Sequence, residues 1–290
     1  MQKVKEHYVP QFYLNKFTDK NGLLHIYDLR QKKFYGQRPK NVCFKKNLYE
    51  TEWLNANPEL GKYVLVNDIE NEFCKYESEF AILLQKIISI CTSEQNPYDL
   101  ILHGNEKEVL FRFLVNLMVR NPVNMEQLEL FKVPEYLKQS DEYSLDRDIL
   151  SKMNLGGVES IYLAAYKKVM LTDEIDGSFP QVYADYLTKI SYTFFYASGN
   201  EFITSDVPVC LGNDCTISNE DKTCLYLALS PRIAVLFGNY NMLYLHKNRM
   251  IKIESEIVDF FNMQTITNHS CINILIGNSQ DSIEKYIGDE

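Results

Sequence analysis

The chain has 290 residues, a net charge of −9 and 46% hydrophobic residues, which predicts a folded chain with a sizeable core. Acidity argues against a broad nucleic-acid-binding surface, because such surfaces are usually basic. No stretch approaches the roughly 18 apolar residues of a membrane-spanning helix, and residues 1–10 lack the apolar core of a secretory signal. The seven cysteines, an odd number scattered along the chain, are typical of a reducing compartment. We therefore expect a cytoplasmic protein without a membrane partner.

The first fifty residues predict a β-hairpin. Residues 22–29, GLLHIYDL, and residues 33–37, KFYGQ, are apolar and aromatic segments, and a turn lies between them around Arg30-Gln31-Lys32. Residues 38–62 are typical of a loop, since proline, asparagine and glycine recur there.

A helical block is predicted at about 63–172. Apolar residues within 63–91 recur at spacings of three and four, which is the pattern of an amphipathic helix. A second such stripe predicts a helix over 105–120, ending before Pro122 because proline disfavours a helical conformation at the residue before it. Two further helices are expected at about 123–139 and 158–172, and a charged loop is expected between them at about 140–152.

The periodicity changes to that of strands after residue 188. The segments ISYTFFYAS and EFITS flank Gly199-Asn200, which predicts a hairpin. Further short strands follow in CLYLALS, IAVLFG and NMLYLHK. A helix over 254–267, a last strand in CINILIG and a last short helix complete the pattern.

Helices in the middle and strands at both ends indicate the α+β class. We expect the central helical block of 63–172, the N-terminal hairpin and a C-terminal mixed, mostly antiparallel sheet. The whole of 1–290 is expected to form a single domain, in which strands within 1–50 pack with the sheet of 188–290.

The most distinctive segment is HYVPQFYLNKF, residues 7–17. It resembles the opening H-x-V-P-x-x-x-L-x-x-F of a large prokaryotic family catalogued as a domain of unknown function. The resemblance continues in order along the chain and implies no established activity. It is carried further by Tyr27-Asp28, Ile69-Glu70, Glu77, Arg120 with Pro122, the T-S-D-x-P-V piece of residues 204–209, Leu229-Ser230-Pro231 and Asn262. This chain departs from the expected pattern at Val207, where a small polar residue is expected.

His7 allows two interpretations. As a catalytic group it would be a general acid or base, because histidine titrates near neutral pH. As a structural group its buried ring would cap a backbone carbonyl and hold the N-terminal segment to the core. The sequence leaves both open.

Glu70, Glu77 and Arg120 are the charged candidates of the helical block. The two glutamates lie seven residues apart on one helix, so their α-carbons are about 10.5 Å apart, which is too far for a tight pair of ligands on one metal. Arg120 would either hold a phosphate or carboxylate bidentately or pair with one of these glutamates within the fold.

Asp206 follows a predicted strand in Thr204-Ser205-Asp206, at a place where functional residues often gather. It would act as a metal ligand, as a general base or as the residue that orients His7. The structural alternative is ordinary turn chemistry, in which the aspartate accepts hydrogen bonds from the following backbone amides. A hydrolase that uses Ser205 is disfavoured because Ser205 and Asp206 are adjacent.

Two functional hypotheses follow. The first is a nuclease- or phosphodiesterase-like effector of a prokaryotic defence or toxin system, with His7, Asp206, Arg120, Glu77 and Glu70 in its site and a nucleic acid or nucleotide as substrate. A divalent metal is compatible with it, but the cofactor is unknown. The chain has no Walker A motif, no G-x-G-x-x-G and no G-x-S-x-G. The second hypothesis is a non-enzymatic sensor or protein-binding module in which the same polar residues are structural.

Overall fold

The computed structural model describes residues 5–54, 61–92, 102–153, 157–212, 224–238, 249–267 and 272–287. Its helices, in chain order, are α1 (Gln11–Leu14), α2 (Asp68–Thr92), α3 (Glu106–Val119), α4 (Pro122–Leu128), α5 (Glu135–Lys138), α6 (Asp141–Lys152), α7 (Val158–Leu171), α8 (Phe179–Leu187), α9 (Ser255–Thr267) and α10 (Asp281–Glu284). Its strands are β1 (Lys5–His7), β2 (Leu24–Asp28), β3 (Lys33–Gln37), β4 (Phe44–Lys46), β5 (Tyr192–Ala197), β6 (Thr204–Ser205), β7 (Val209–Gly212), β8 (Cys224–Ser230), β9 (Ile233–Phe237), β10 (Arg249–Ile253) and β11 (Ile274–Gly277).

The strands form three sheets within the described part of the chain. A five-stranded sheet has the order β10-β5-β9-β8-β7, and only its β10–β5 pair is parallel. A four-stranded antiparallel sheet has the order β3-β2-β11-β6, so the N-terminal hairpin and two C-terminal strands share one sheet. A short antiparallel pair joins β1 to β4. The predicted α+β class, with its N-terminal hairpin and mixed, mostly antiparallel C-terminal strands, is confirmed; the single-domain boundary stays a prediction.

The helices predicted over 63–91 and 105–120 are confirmed as α2 and α3. The stripe of α2 is buried at Phe73 and Phe80, and the Phe80 ring stacks on Phe113 of α3 with 3.8 Å between the ring centroids. This aromatic contact fixes the two helices side by side, and the Phe12 ring of α1 lies against both.

Two local predictions of the helical block were wrong. Residues 140–152 form α6 rather than a loop, because the Ser140 hydroxyl oxygen accepts a hydrogen bond from the backbone amide of Tyr143 and caps the helix. The helix expected over 123–139 is divided into α4 and α5, which begins directly after Pro134.

The prediction of a hairpin at Gly199-Asn200 was also wrong. β5 pairs with β9 and β10, whereas β6 pairs with β11, so the two segments lie in different sheets. The intervening residues bind α9 instead, because the backbone amide of Asn200 donates to the Ser255 hydroxyl and its side chain donates to Asp259. The strand-like segment NMLYLHK lies outside the described residues.

A second, smaller core lies to one side of the main core. It is built from Val133, just before α5, Tyr143 and Leu150 of α6, and Val158 of α7. Residues 47–54 run opposite this smaller core. The space between them is an open cleft.

Candidate functional site

Arg120 follows the last residue of α3 and is fully buried despite its charge. Its guanidinium donates to Asn116 Oδ1 at 2.6 Å, to Glu77 Oε1 at 2.7 Å and to the backbone oxygen of His7 at 2.5 Å. The guanidinium carbon lies 4.7 Å from the centroid of the Phe73 ring. Arg120 therefore joins α3, α2 and β1 from inside the protein.

The charge of Arg120 is balanced within the fold. Burial alone would lower its pKa, but the neighbouring Glu77 carboxylate and the Tyr49 hydroxyl outweigh that effect and raise the pKa above its ordinary value. The hydroxyl of Tyr49 also donates to the backbone oxygen of Arg120 at 3.2 Å. Because only 1% of the arginine side chain is exposed, a phosphate could reach it only after the surrounding side chains had separated.

His7 lies beside Arg120 and contributes its backbone oxygen to the guanidinium. Its half-buried ring packs against Phe44 with 5.6 Å between centroids, and it hydrogen-bonds the backbone of Lys40. Burial lowers the pKa of His7, although the Lys40 hydrogen bond and the Glu77 charge act in the opposite direction. Its Nε2 atom is buried and has no hydrogen-bond partner among the described residues. The ring contacts are those of the structural interpretation.

Asp206 forms its hydrogen bonds with a different part of the chain from that bound by Arg120. Its carboxylate accepts hydrogen bonds from the Asn273 side chain at 2.8 Å and from the backbone amides of Asn273 and Ile274 at 3.0 and 3.3 Å. Burial raises its pKa, although these hydrogen bonds act against the rise. Ser205 binds the backbone of Val207 through both a donated and an accepted hydrogen bond. The carboxylate thus anchors the end of β6 to the beginning of β11, and its recorded partners include neither His7 nor Arg120.

Glu70 and Glu77 have different surroundings. Glu77 forms the ion pair with Arg120, whereas Glu70 lies close enough to Glu6 and Arg120 to affect both electrostatically. The structure therefore brings His7, Arg120 and Glu77 into direct contact, places Glu70 beside them and leaves Asp206 in another contact set.

A buried carboxyl group that the sequence analysis missed completes this region. Glu6 is fully buried, and its Oε2 accepts a hydrogen bond from the backbone amide of Tyr49 at 2.9 Å. Burial, together with the nearby Glu50 and Glu70, raises the pKa of Glu6 to about 8. Glu50 is also buried, and its Oε1 accepts from the backbone amide of Asn67. Glu6 is therefore neutral at neutral pH and close to the second carboxyl group.

The sequence contained only a weak signal for Glu6. In an extended strand, side chains alternate between two faces, so Glu6 points away from the face of Lys5 and His7. The pattern does not say which of the two faces is buried, and a glutamate in a charged segment is usually exposed.

No three His, Cys, Asp or Glu side chains in the described ranges are arranged to hold a metal ion. None of the helices in those ranges is both long and apolar enough to cross a membrane.

The cleft opposite the smaller core lies beside the buried carboxyl groups, and we call it the Trp53 cleft. Its volume is about 740 Å³, which is within the range of small-ligand sites. The described residues of its walls include four glutamates and two lysines: Glu50, Glu52, Glu129, Glu159, Lys132 and Lys138. Trp53, Tyr63 and Phe131 add aromatic surface. The cleft combines charged side chains of both signs with aromatic walls.

Two lysines of the chain already bind glutamates of this cleft. Lys167 is fully buried, pairs with Glu129 and donates to the backbone oxygen of Glu50 at 3.0 Å. Lys62 pairs with Glu52 at 2.6 Å, and its ammonium nitrogen lies 5.2 Å from the centroid of the Tyr63 ring. These contacts could not be predicted from the loop-like sequence of residues 38–62, because they form between segments that are distant in sequence or paired only in the fold.

Comparison with known proteins gives a family. No curated protein and no solved structure matched the chain. A family model described as protein of unknown function (DUF4238) matches residues 5–281, which include His7, Glu77, Arg120, Asp206 and the described walls of the Trp53 cleft. The chain therefore belongs to the DUF4238 family of proteins of unknown function.

Proposed function

We propose that the protein is a non-enzymatic, cytoplasmic binding module that holds a protein partner in the Trp53 cleft. In this proposal the residues around Arg120 serve the fold. The observation that carries it is the buried guanidinium, whose donors are directed to Asn116, Glu77 and the His7 backbone rather than to solvent.

Two features support a binding role over a catalytic one, and a third supports the reducing compartment. A group that acts on a substrate must come within hydrogen-bond reach of it, whereas Arg120 and Asp206 are buried and bound to protein groups. The cleft offers open volume, aromatic surface and charge at one place. The cysteines Cys43, Cys91 and Cys210 are buried free thiols, in keeping with a reducing compartment.

The phosphodiesterase hypothesis stays a prediction, with one observation in its favour. The buried Nε2 of His7 has no hydrogen-bond partner in the described part of the chain and lies on a residue that contacts Arg120. A nuclease of a defence or toxin system would need this nitrogen to meet a nucleic acid or nucleotide, with or without a divalent metal.

His7→Ala separates the two hypotheses. The binding-module proposal predicts that this variant melts several degrees lower than the unmodified chain, because it loses a hydrogen bond and ring packing that together contribute on the order of 1–2 kcal/mol. His103→Ala serves as the control, since His103 is exposed, and its melting temperature is expected to be unchanged. Differential scanning calorimetry measures both variants.

The same preparations are incubated with labelled single- and double-stranded DNA and RNA, with Mg²⁺ and with Mn²⁺. No cleavage is expected. Cleavage that disappears in His7→Ala while its melting temperature stays unchanged would overturn the binding-module proposal and support the nuclease.

A further inference from the structure

The ion pair at the edge of the Trp53 cleft indicates what the cleft recognises. Glu52 and Tyr63 both line the cleft and face each other across an antiparallel backbone bridge. Hydrogen bonds from Trp53 to Lys62 and from Val64 to Thr51 hold this bridge in place. A carboxylate and an aromatic ring are therefore presented together on a paired backbone.

The chain itself supplies a cation to this pair. The Lys62 ammonium group binds Glu52 at 2.6 Å and lies near the Tyr63 ring, and its pKa is raised, first of all by the hydrogen bond to Glu52. The Lys62 side chain is nevertheless 61% exposed. Exposed ion pairs contribute little to stability, so a second ammonium group can replace this one at little cost.

The rest of the cleft suits the same chemistry. The opposite wall contributes Glu129 and Glu159, and Trp53 and Phe131 offer apolar surface to the four-carbon stem of a lysine. Glu129 already binds the buried ammonium group of Lys167, so a lysine–glutamate pair occurs in this cleft twice. The net charge of −9 favours the approach of a basic segment.

We propose that the Trp53 cleft binds a lysine side chain of a partner protein, whose ammonium group takes the place of Lys62 between Glu52 and Tyr63. This inference rests on the proposed binding role of the cleft. It adds the chemistry of the partner and gives Lys62 the role of an internal competitor.

Trp53 is the only tryptophan of the chain, so intrinsic fluorescence reports directly on the cleft. The probes are acetyl-Gly-Lys-Gly-amide and its uncharged counterpart, acetyl-Gly-norleucine-Gly-amide, titrated into the full chain. We expect a saturable change in Trp53 emission with the lysine peptide and at least fivefold weaker binding of the norleucine peptide. Equal binding of the two peptides, or no binding of either by fluorescence and calorimetry, would overturn the inference.

Two variants are expected to change the affinity in opposite directions. Glu52→Gln removes the carboxylate and should weaken binding of the lysine peptide at least fivefold. Lys62→Met removes the competing ammonium group and should strengthen binding several-fold. If Lys62→Met weakens binding, Lys62 is not a competitor and the proposal is wrong.

Matched controls separate a local effect from a change in net charge. Lys75→Met removes a lysine of nearly the same exposure, 64%, whose ion pair with Glu72 lies outside the cleft. Glu108→Gln is the matched control for Glu52→Gln, because it removes the carboxylate of a glutamate in an exposed ion pair with Arg112. Both should bind the lysine peptide within twofold of the unmodified chain, and an effect as large as that of the cleft variants would contradict the proposal.

These experiments use no phosphodiester substrate, so the two failures are distinguishable. Nucleic-acid cleavage that depends on His7 would count against the proposed function. Loss of the preference for lysine over norleucine would count against the lysine site alone.

Discussion

Arg120→Ala is expected to lower the free energy of unfolding by about 3–5 kcal/mol, the usual cost of removing one partner from a buried ion pair. The substitution leaves Glu77 without its cation and removes the donors to Asn116 and to the backbone oxygen of His7. It also leaves a cavity against Phe73. Urea unfolding followed by circular dichroism measures the loss.

The control is another arginine of the same helix. Arg112 is 39% exposed and pairs with Glu108 and Asp173 near the surface. Arg112→Ala should cost less than about 1 kcal/mol, since exposed pairs contribute little. Equal losses in the two variants would show that the contacts of Arg120 do not stabilise the fold as the structure indicates.

Glu6 is expected to make the protein less stable as the pH rises. Its pKa is about 8 in the folded protein and near 4.5 as a free side chain, so between these values the folded state holds a proton that the unfolded state has lost. The stabilisation is complete below about pH 4.5, declines by about 1.4 kcal/mol per pH unit across the window, and is gone above about pH 8. Urea unfolding at pH 5, 6.5 and 8 follows the decline.

Glu6→Gln isolates this effect, because an amide keeps a neutral polar group at the site and cannot ionise. Relative to the unmodified chain, the variant should gain stability steadily from pH 5 to pH 8. Glu79→Gln, at an exposed position of α2, should follow the pH dependence of the unmodified chain. A difference between Glu6→Gln and the unmodified chain that stays constant with pH would mean that Glu6 is ionised in the folded protein throughout the range.

The parts of the fold that could be predicted are those set by local pattern. The helices α2 and α3 follow from apolar residues repeated every three to four positions, and α3 ends just before Pro122 as the proline requires. α6 escaped this argument because two of its larger apolar residues, Leu145 and Ile149, are exposed, so its apolar residues do not mark one buried face. Composition alone then favoured a loop.

Sheet pairing could be predicted only in part, because it depends on segments far apart in the chain. The hairpin of β2 and β3 was found from two neighbouring segments and a short turn. At Gly199-Asn200 the local turn residues were compatible with a hairpin, but the pairing of β6 with β11 and of β5 with β9 decided the outcome.

The contacts of the site show the same limit. The sequence predicts five site residues, including Glu70 and Asp206. The fold brings His7, Glu77 and Arg120 together, whereas Asp206 binds Asn273 and Ile274. Sequence reasoning gave no means of finding that the pair of Arg120 is buried, or that Glu52 and Tyr63 face a common cleft. The burial of a side chain and its distance from other residues depend on tertiary packing, which cannot be predicted from local patterns in a single sequence.

The pairing of β2 with β11 has a consequence for how the protein is made. Tyr27 lies opposite Leu275, so a strand made early in synthesis has no partner until a strand about 250 residues later in the chain has been made. Until Leu275 leaves the ribosome, β2 and β3 form an isolated ribbon, which is marginally stable in water, and the apolar face of Ile26 has no β11 partner. The helices α2 and α3, made of local contacts, can form during that interval. Completion of the four-stranded sheet is therefore a late event on the ribosome, and nascent chains that stall before Leu275 would expose an unpaired strand edge to their neighbours.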